Sequence, residues 1–184
     1  MGIPVEKCPL DLWLYQELIF RTRPEIVVEC GVFRGGGTLY FATIVDILEK
    51  GKVVGIDLDL KDVDARVRND PRVTLIEGNS IDLAVVDKVR ARTKGLRTMV
   101  VLDSDHAFEH VQRELDLYAD LVSPGCYLVV EDTNINGHPV APNCGPGPYE
   151  AVAQFLRKRP DFKLDRDQHR YLMTFNPNGY LKRL

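Results

Sequence analysis

The chain has 184 residues, 45% hydrophobic and 28% charged, with 24 basic against 27 acidic side chains and a formal net charge of −3. That length suits one domain with a sizeable core, and the acidic balance argues against a nucleic-acid or anionic-membrane surface. No apolar run approaches a membrane span, Met1-Gly2-Ile3-Pro4-Val5-Glu6 lacks the regions of a secretory leader, and the four cysteines form no C-x-x-C pair, so a cytoplasmic protein with reduced thiols is expected.

From Arg21 to about Leu164 strand-like and helix-like stretches alternate, the pattern of a parallel sheet wrapped by helices. Leu10–Phe20 reads as an amphipathic helix closed off by Pro24. Glu25–Cys30 is a β-branched first strand that runs into Gly31-Val32-Phe33-Arg34-Gly35-Gly36-Gly37-Thr38. A helix over Thr38–Lys50 stops at Gly51, a second strand covers Lys52–Asp57, and a polar stretch follows through Asn69. Val73–Glu77 is the third strand, and Ser80–Arg92 a helix ending near Gly95. Thr98–Asp103 forms the fourth strand, Ala107–Val122 the next helix, and Pro124-Gly125 the turn into the fifth strand at Tyr127. Thr133–Pro148 is too rich in Pro, Gly and Asn for regular structure, and its place after an acidic pair makes it a candidate lid. A helix over Glu150–Lys158 and closing strands at Phe162–Leu164 and Arg170–Phe175 complete the chain. The tail is too short for another crossover helix, which predicts a seven-stranded, mostly parallel sheet with one antiparallel strand, strands 1, 4 and 5 central, and helices on both faces.

Carboxylates stand where buried strands end: Asp103 after Val100-Val101-Leu102, and Glu131-Asp132 after Leu128-Val129-Val130. Ionised groups at the edge of a core need partners, and ligands of open α/β sheets bind outside the carboxyl ends of the strands. Asp103, Glu131 and Asp132 therefore form a candidate oxygen-ligand set for a hard divalent cation, Mg²⁺ or Mn²⁺. His106, three residues past Asp103, is a candidate proton acceptor. Asp105 reads as a helix N-cap and stays outside the metal set. The loop after the first strand holds three adjacent glycines, more than a tight turn requires, and fits neither G-x-G-x-x-G nor the P-loop. Asp57 closes the second strand, where an acid can accept from ribose hydroxyls. Asn79 and Ser80 fit either an adenine contact or a helix cap.

These residues resemble a known family. Glu29-x-Gly31-x-x-x-Gly35-Gly36-Gly37, Ile56-Asp57, Asp103-Ser104-Asp105-His106 and Glu131-Asp132 are similar to the Rossmann-like class I S-adenosylmethionine-dependent methyltransferases. Lys7-Cys8-Pro9-Leu10-Asp11, Tyr15-Gln16-Glu17, Asn136–Val140 and Gly145–Pro148 narrow the resemblance to the cephalosporin hydroxylase and rhamnosyl O-methyltransferase family, across nearly the whole chain. The resemblance implies transfer of a methyl group from S-adenosylmethionine to a hydroxyl of a sugar or glycosylated natural product, assisted by Mg²⁺ or Mn²⁺. The implied cofactor contacts are Glu29, Gly31, Phe33, Gly35, Gly36, Asp57, Asn79, Ser80 and Asp103. The segment around Tyr15 and Gln16 would cover the cofactor's amino-acid end.

Other readings have weaker support. His106-Ala107-Phe108-Glu109-His110 matches the H-x-x-E-H pattern of zinc peptidases, but such a site leaves the glycine loop and Glu131-Asp132 unexplained. Iron-dependent hydroxylation commonly uses two histidines and one carboxylate, against the three acids and one well-placed histidine here. A nicotinamide-dependent oxidoreductase would suit Asp57 but not the loop spacing. A non-catalytic cofactor-binding subunit has no need of a base. His138 is open between acceptor contact and plain loop residue, and self-association is left open.

Overall fold

The computed structural model describes residues 1–184. In chain order the elements are α1 (Pro9–Thr22), β1 (Ile26–Cys30), α2 (Gly36–Ile47), β2 (Lys52–Asp57), α3 (Ala65–Arg68), β3 (Val73–Glu77) and α4 (Leu83–Thr93). There follow β4 (Thr98–Leu102), α5 (Phe108–Tyr118), β5 (Tyr127–Val130), α6 (Pro148–Lys158), β6 (Phe162–Leu164) and β7 (Tyr180–Arg183). No helix is long and apolar enough to cross a membrane.

The seven strands form one sheet in the order β3-β2-β1-β4-β5-β7-β6. Pairings from β3 through β5 are parallel, whereas β7 is antiparallel to both β5 and β6. The expected sheet, its single antiparallel strand and the central place of β1, β4 and β5 are all observed. β1, β4 and β5 are buried throughout, as strands covered on both faces must be, and their sequences read as almost continuous apolar runs.

Successive strand residues point to opposite faces, and this splits the core in two. Val27, Val53, Met99, Val101 and Val129 pack beneath α1 and α2 with Leu14, Tyr15, Leu18, Ile19 and Phe41. Val28, Val54, Val100, Leu102, Leu128 and Val130 pack on the other side against Val86 and Val89 of α4, Val111 and Leu115 of α5, and Val152 and Phe155 of α6.

Two expectations are corrected. Ser80 and Asn79 do not begin a helix; α4 starts at Leu83, capped by Asp82, whose side chain accepts from the Ala84 amide. Arg170–Phe175 is not a strand. It is a surface loop with Leu172 almost fully exposed, and the closing strand is Tyr180–Arg183. Apolar composition drew the prediction to Tyr171–Phe175, but Asp11 claims that segment instead, accepting from the Thr174 hydroxyl and the Phe175 amide. β7 then enters through Gly179, whose carbonyl accepts from Val130 N at 2.9 Å. A Cβ there would stand 2.1 Å from the Val130 carbonyl oxygen. Gly179→Ala is therefore expected to cost about 1–3 kcal/mol, read as a lowered urea midpoint with unchanged m value.

Candidate active site

A cavity of about 670 Å³ opens along the carboxyl ends of β1, β2, β3 and β4. Its lining includes Glu29, Gly31, Phe33, Gly36, Asp57, Asn79, Ser80, Asp103, His106 and Asp132, so ten of the expected site residues meet in one place. Gly35 does not line it; it caps α2 and packs against the Val67 side chain. Glu131 does not line it either.

Asp57 does more than wait for a ligand. Its Oδ2 accepts from the amides of Val32 and Phe33 at 2.9 and 2.8 Å, so the acid ending β2 fixes the glycine loop following β1. Its Oδ1 accepts a longer bond from Asp59 N at 3.3 Å. At the neighbouring strand end, Asn79 Oδ1 accepts from Ile81 N, forming a turn, while Ser80 Oγ lies 3.0 Å from His110 Nε2. His110 also approaches Ser104 Oγ at 3.2 Å, and Ser104 donates to buried Glu114 at 2.7 Å. Contact with Glu114 raises the His110 pKa above its ordinary value against the opposing effect of burial. His110 read in sequence as a residue on the helix face. Its spacing four residues ahead of Glu114, one helical turn, was the available signal for this network.

The acids at the ends of the central strands fall into two groups because of the alternation of the sheet. Glu29, Asp103 and Glu131 have the parity of Val27, Val101 and Val129 and meet on the α1–α2 side, where Lys7 joins them. The Lys7 ammonium lies 2.5 Å from Asp103 Oδ2, 2.6 Å from Glu131 Oε1 and 3.5 Å from Glu29 Oε1. Tyr15 donates to the same Glu131 oxygen at 2.7 Å, and Thr38 to Glu29 Oε2 at 2.6 Å. Burial pushes Glu29 up to about 7 and Glu131 up to about 8, against the pull of Lys7. Glu131, expected beside Asp132 as an oxygen ligand, is thus directed to Lys7 and Tyr15, because adjacent residues at a strand end project to opposite sides. Sequence reasoning did not place Lys7 in the site; its position in the extended segment before α1 carries no periodicity.

Asp132 emerges on the other side in a left-handed conformation, φ +51°, with its amide held by Asn176 Oδ1 at 3.0 Å. His106 Nε2 lies 3.2 Å from Asp132 Oδ2 and 3.7 Å from Asp103 Oδ1. The Asp103 contact, joined by Asp132, raises the imidazole pKa above its ordinary value although burial opposes it. Nε2 nonetheless makes no well-formed hydrogen bond. The buried side-chain polar atoms without a partner are His106 Nε2, Thr133 Oγ1 and Asn134 Oδ1. Such orphaned atoms in a native fold call for an explanation, an ion or ligand among them. One atom each from Asp103, His106 and Asp132 lies within 4.8 Å of the others, a donor set that fits a divalent cation.

The competing constellations do not assemble. His110 is engaged by Ser80 and Ser104, and His138 stacks on Tyr149 at 3.7 Å and contacts Glu150 at 2.8 Å. Neither joins the Asp103–His106–Asp132 cluster, which rules against both the H-x-x-E-H zinc site and a two-histidine iron site. Asp105 is not the helix N-cap expected of it: α5 is capped at Ala107 without a side-chain hydrogen bond, and Asp105 instead accepts from the Ala107 amide at 2.7 Å in the turn before the helix.

Comparison with known proteins places this architecture. The family model described as Rhamnosyl O-methyltransferase/CmcI matches residues 1–184. A rhamnosyl O-methyltransferase of Mycobacterium tuberculosis is 40% identical over 100% of this chain and 77% of its own length. The Mycobacterium leprae protein of the same name is 38% identical over 100% of this chain and 82% of its own. Among solved structures, CmcI in its Mg-SAM form superposes with a TM-score of 0.79 at 22% identity, covering 100% of this chain and 75% of that one. The MycE methyltransferase of the mycinamycin pathway, in complex with Mg and SAH, gives 0.56 at 20% identity, covering 77% of this chain and 38% of that one. The shared fold is the class I methyltransferase fold, and the chain belongs to the rhamnosyl O-methyltransferase/CmcI family.

Proposed function

We propose that this methyltransferase moves the methyl group of S-adenosylmethionine to a hydroxyl of a sugar or glycosylated small molecule, with Mg²⁺ or Mn²⁺ at the site. The observation that carries the reading is the Asp103–His106–Asp132 cluster, with its unpartnered imidazole nitrogen, at the wall of the strand-end cavity. The rhamnosyl O-methyltransferase relatives support a sugar hydroxyl as acceptor, and the CmcI and MycE structures support the methyl donor and the ion.

Asp103 and Asp132 are assigned as the oxygens that hold the ion, and His106 as the base. Asp57, the Gly31–Gly37 loop and the Asn79–Ser80 turn are assigned to the nucleoside, and Glu29 to the amino-acid end of the donor. When bound, the donor supplies an electrophilic methyl carbon and the ion stabilises negative charge on the acceptor oxygen. A sugar hydroxyl is a weak nucleophile at neutral pH, so the chain must place it and take its proton. Asp103 and Asp132 lie 3.7 and 3.2 Å from His106 Nε2, so the imidazole stands beside the ion they would hold, in position to take the acceptor's proton. In this reading Asp57, the Gly31–Gly37 loop and the Asn79–Ser80 turn are separate from Asp103 and Asp132, so donor binding and ion binding rest on different parts of the chain.

Chelation with EDTA is expected to abolish turnover of a rhamnosylated acceptor while S-adenosylhomocysteine still binds by calorimetry; full activity in EDTA would remove the metal from the reaction. His106→Ala should keep both metal and cofactor yet lower kcat about 10²- to 10⁴-fold. The wild-type kcat/KM should rise with pH as His106 loses its proton, a limb absent from the variant. Loss of the metal in that variant would make His106 a ligand instead. Turnover by the isolated chain distinguishes the enzyme from a cofactor-binding accessory subunit.

Asp57→Asn is expected to weaken S-adenosylhomocysteine binding roughly 10-fold or more, as loss of charge-assisted hydrogen bonds does. It should also raise amide exchange at Val32 and Phe33, because the same side chain holds the loop. Unchanged affinity would remove Asp57 from the nucleoside site.

A further inference from the structure

The extended segment before α1 lies across the glycine loop as a strap. Ile3 is buried among Val32, Leu60, Val63 and Val67, and Arg66 holds the Met1 carbonyl at 2.8 Å. The loop's glycines make room for it. A Cβ on Gly36 would stand 2.2 Å from the Pro4 carbonyl oxygen, and one on Gly37 would stand 2.4 Å from Glu29 Oε1 and 2.8 Å from Lys7 Cε. The glycines beyond what a turn requires are thus explained by the strap and by the lysine it delivers.

Lys7 ends the strap with its side chain 3% exposed, facing three carboxylates. One ammonium thus serves three carboxyl groups in a single buried pocket. Asp103 belongs to both sides of the site: Oδ2 contacts Lys7, while Oδ1 faces His106. Glu131 has no cation other than Lys7 within ion-pair distance. A divalent ion beside Asp103 would share that carboxylate with the ammonium, and two cations a few ångströms apart in a poorly solvated site repel strongly.

Resting on the metal reading above, we propose that Lys7 is a resident cation that competes with the divalent ion for Asp103 and Glu131. Entry of the ion moves the ammonium off the two acids and loosens the strap; departure of the ion lets Lys7 return. The competition accounts for Glu131 as well. It is a strand-end acid of the expected ligand set that Lys7 engages at 2.6 Å, and it becomes available to the ion only when Lys7 leaves. His106 is then spared for proton transfer.

Two measurements on the full chain test the competition. Reductive methylation followed by peptide mass spectrometry reports directly on the Lys7 amine, with exposed Lys61 as internal control. Lys7 should be protected without metal and become reactive at saturating Mn²⁺. Mn²⁺ binding by electron paramagnetic resonance at low salt should be about tenfold or more tighter in Lys7→Met, and close to wild type in Lys7→Arg, which keeps the charge. Mn²⁺ bound while Lys7 stays protected overturns the competition and leaves the metal reading intact. Equal or weaker Mn²⁺ binding by a folded Lys7→Met also overturns it. Absence of Mn²⁺ binding from all three proteins overturns both. If Lys7→Met does not fold, labelling of the unaltered chain decides alone.

Discussion

One buried ammonium holds the working end of this molecule together. Glu29, Asp103 and Glu131 come from the ends of β1, β4 and β5, three neighbouring strands at the centre of the sheet, and Lys7 joins all three. Breaking one side of a buried ion pair typically costs about 3–5 kcal/mol, because a charge is left without solvent or partner. The segment before α1 is therefore integral to the site. Its lysine determines how the acids of three strands are arranged, and its apolar anchor at Ile3 sets where that lysine reaches.

A second constraint comes from the far end of the chain. Asp132 adopts a left-handed conformation costly for a residue with a Cβ, and Asn176 secures it by accepting its amide. Asn176 in turn approaches Tyr180, and the Tyr180 hydroxyl donates to Asp11 of α1 at 2.8 Å. Asp11 is fully buried without a cation and is satisfied by Thr174, Phe175 and Tyr180. The first helix and the last strand thus meet through hydrogen bonds beneath the acidic pair. The site is built by chain segments more than a hundred residues apart, which explains why the tail folds as it does.

The sheet was legible in the sequence because central parallel strands must be apolar on both faces, and Val27–Val28, Val53–Val54, Val100–Leu102 and Leu128–Val130 advertise it. Glu29, Asp57, Asp103 and Asp132 were legible because each interrupts or ends such a run. Two things were less visible. The face on which each acid emerges depends on strand alignment, so Glu131 and Asp132 looked like a pair although the sheet sends them to opposite sides. Lys7 and β7 depend on tertiary partners: the first on three distant carboxylates, the second on the close approach of Gly179 to Val130. Local composition even favoured Tyr171–Phe175 as the strand, since nothing local announces that Asp11 will bind Thr174 and Phe175.

The long loop after Asp132 is fastened at its far end by one carboxylate. Glu150, three residues into α6, accepts from Gly147 N at 2.8 Å and Asn136 Nδ2 at 3.1 Å and contacts His138 Nε2 at 2.8 Å. Despite partial burial, the Gly147 amide and the His138 and Asn136 side chains pull its pKa down to about 2, so the fastening stays ionised throughout the physiological range. The path of the loop is thus held by Asn136, His138 and Gly147, while Val140 and Cys144 stand exposed between them. A change of side chain at those two exposed positions therefore leaves the Glu150 contacts, and the entry of the loop into α6, in place.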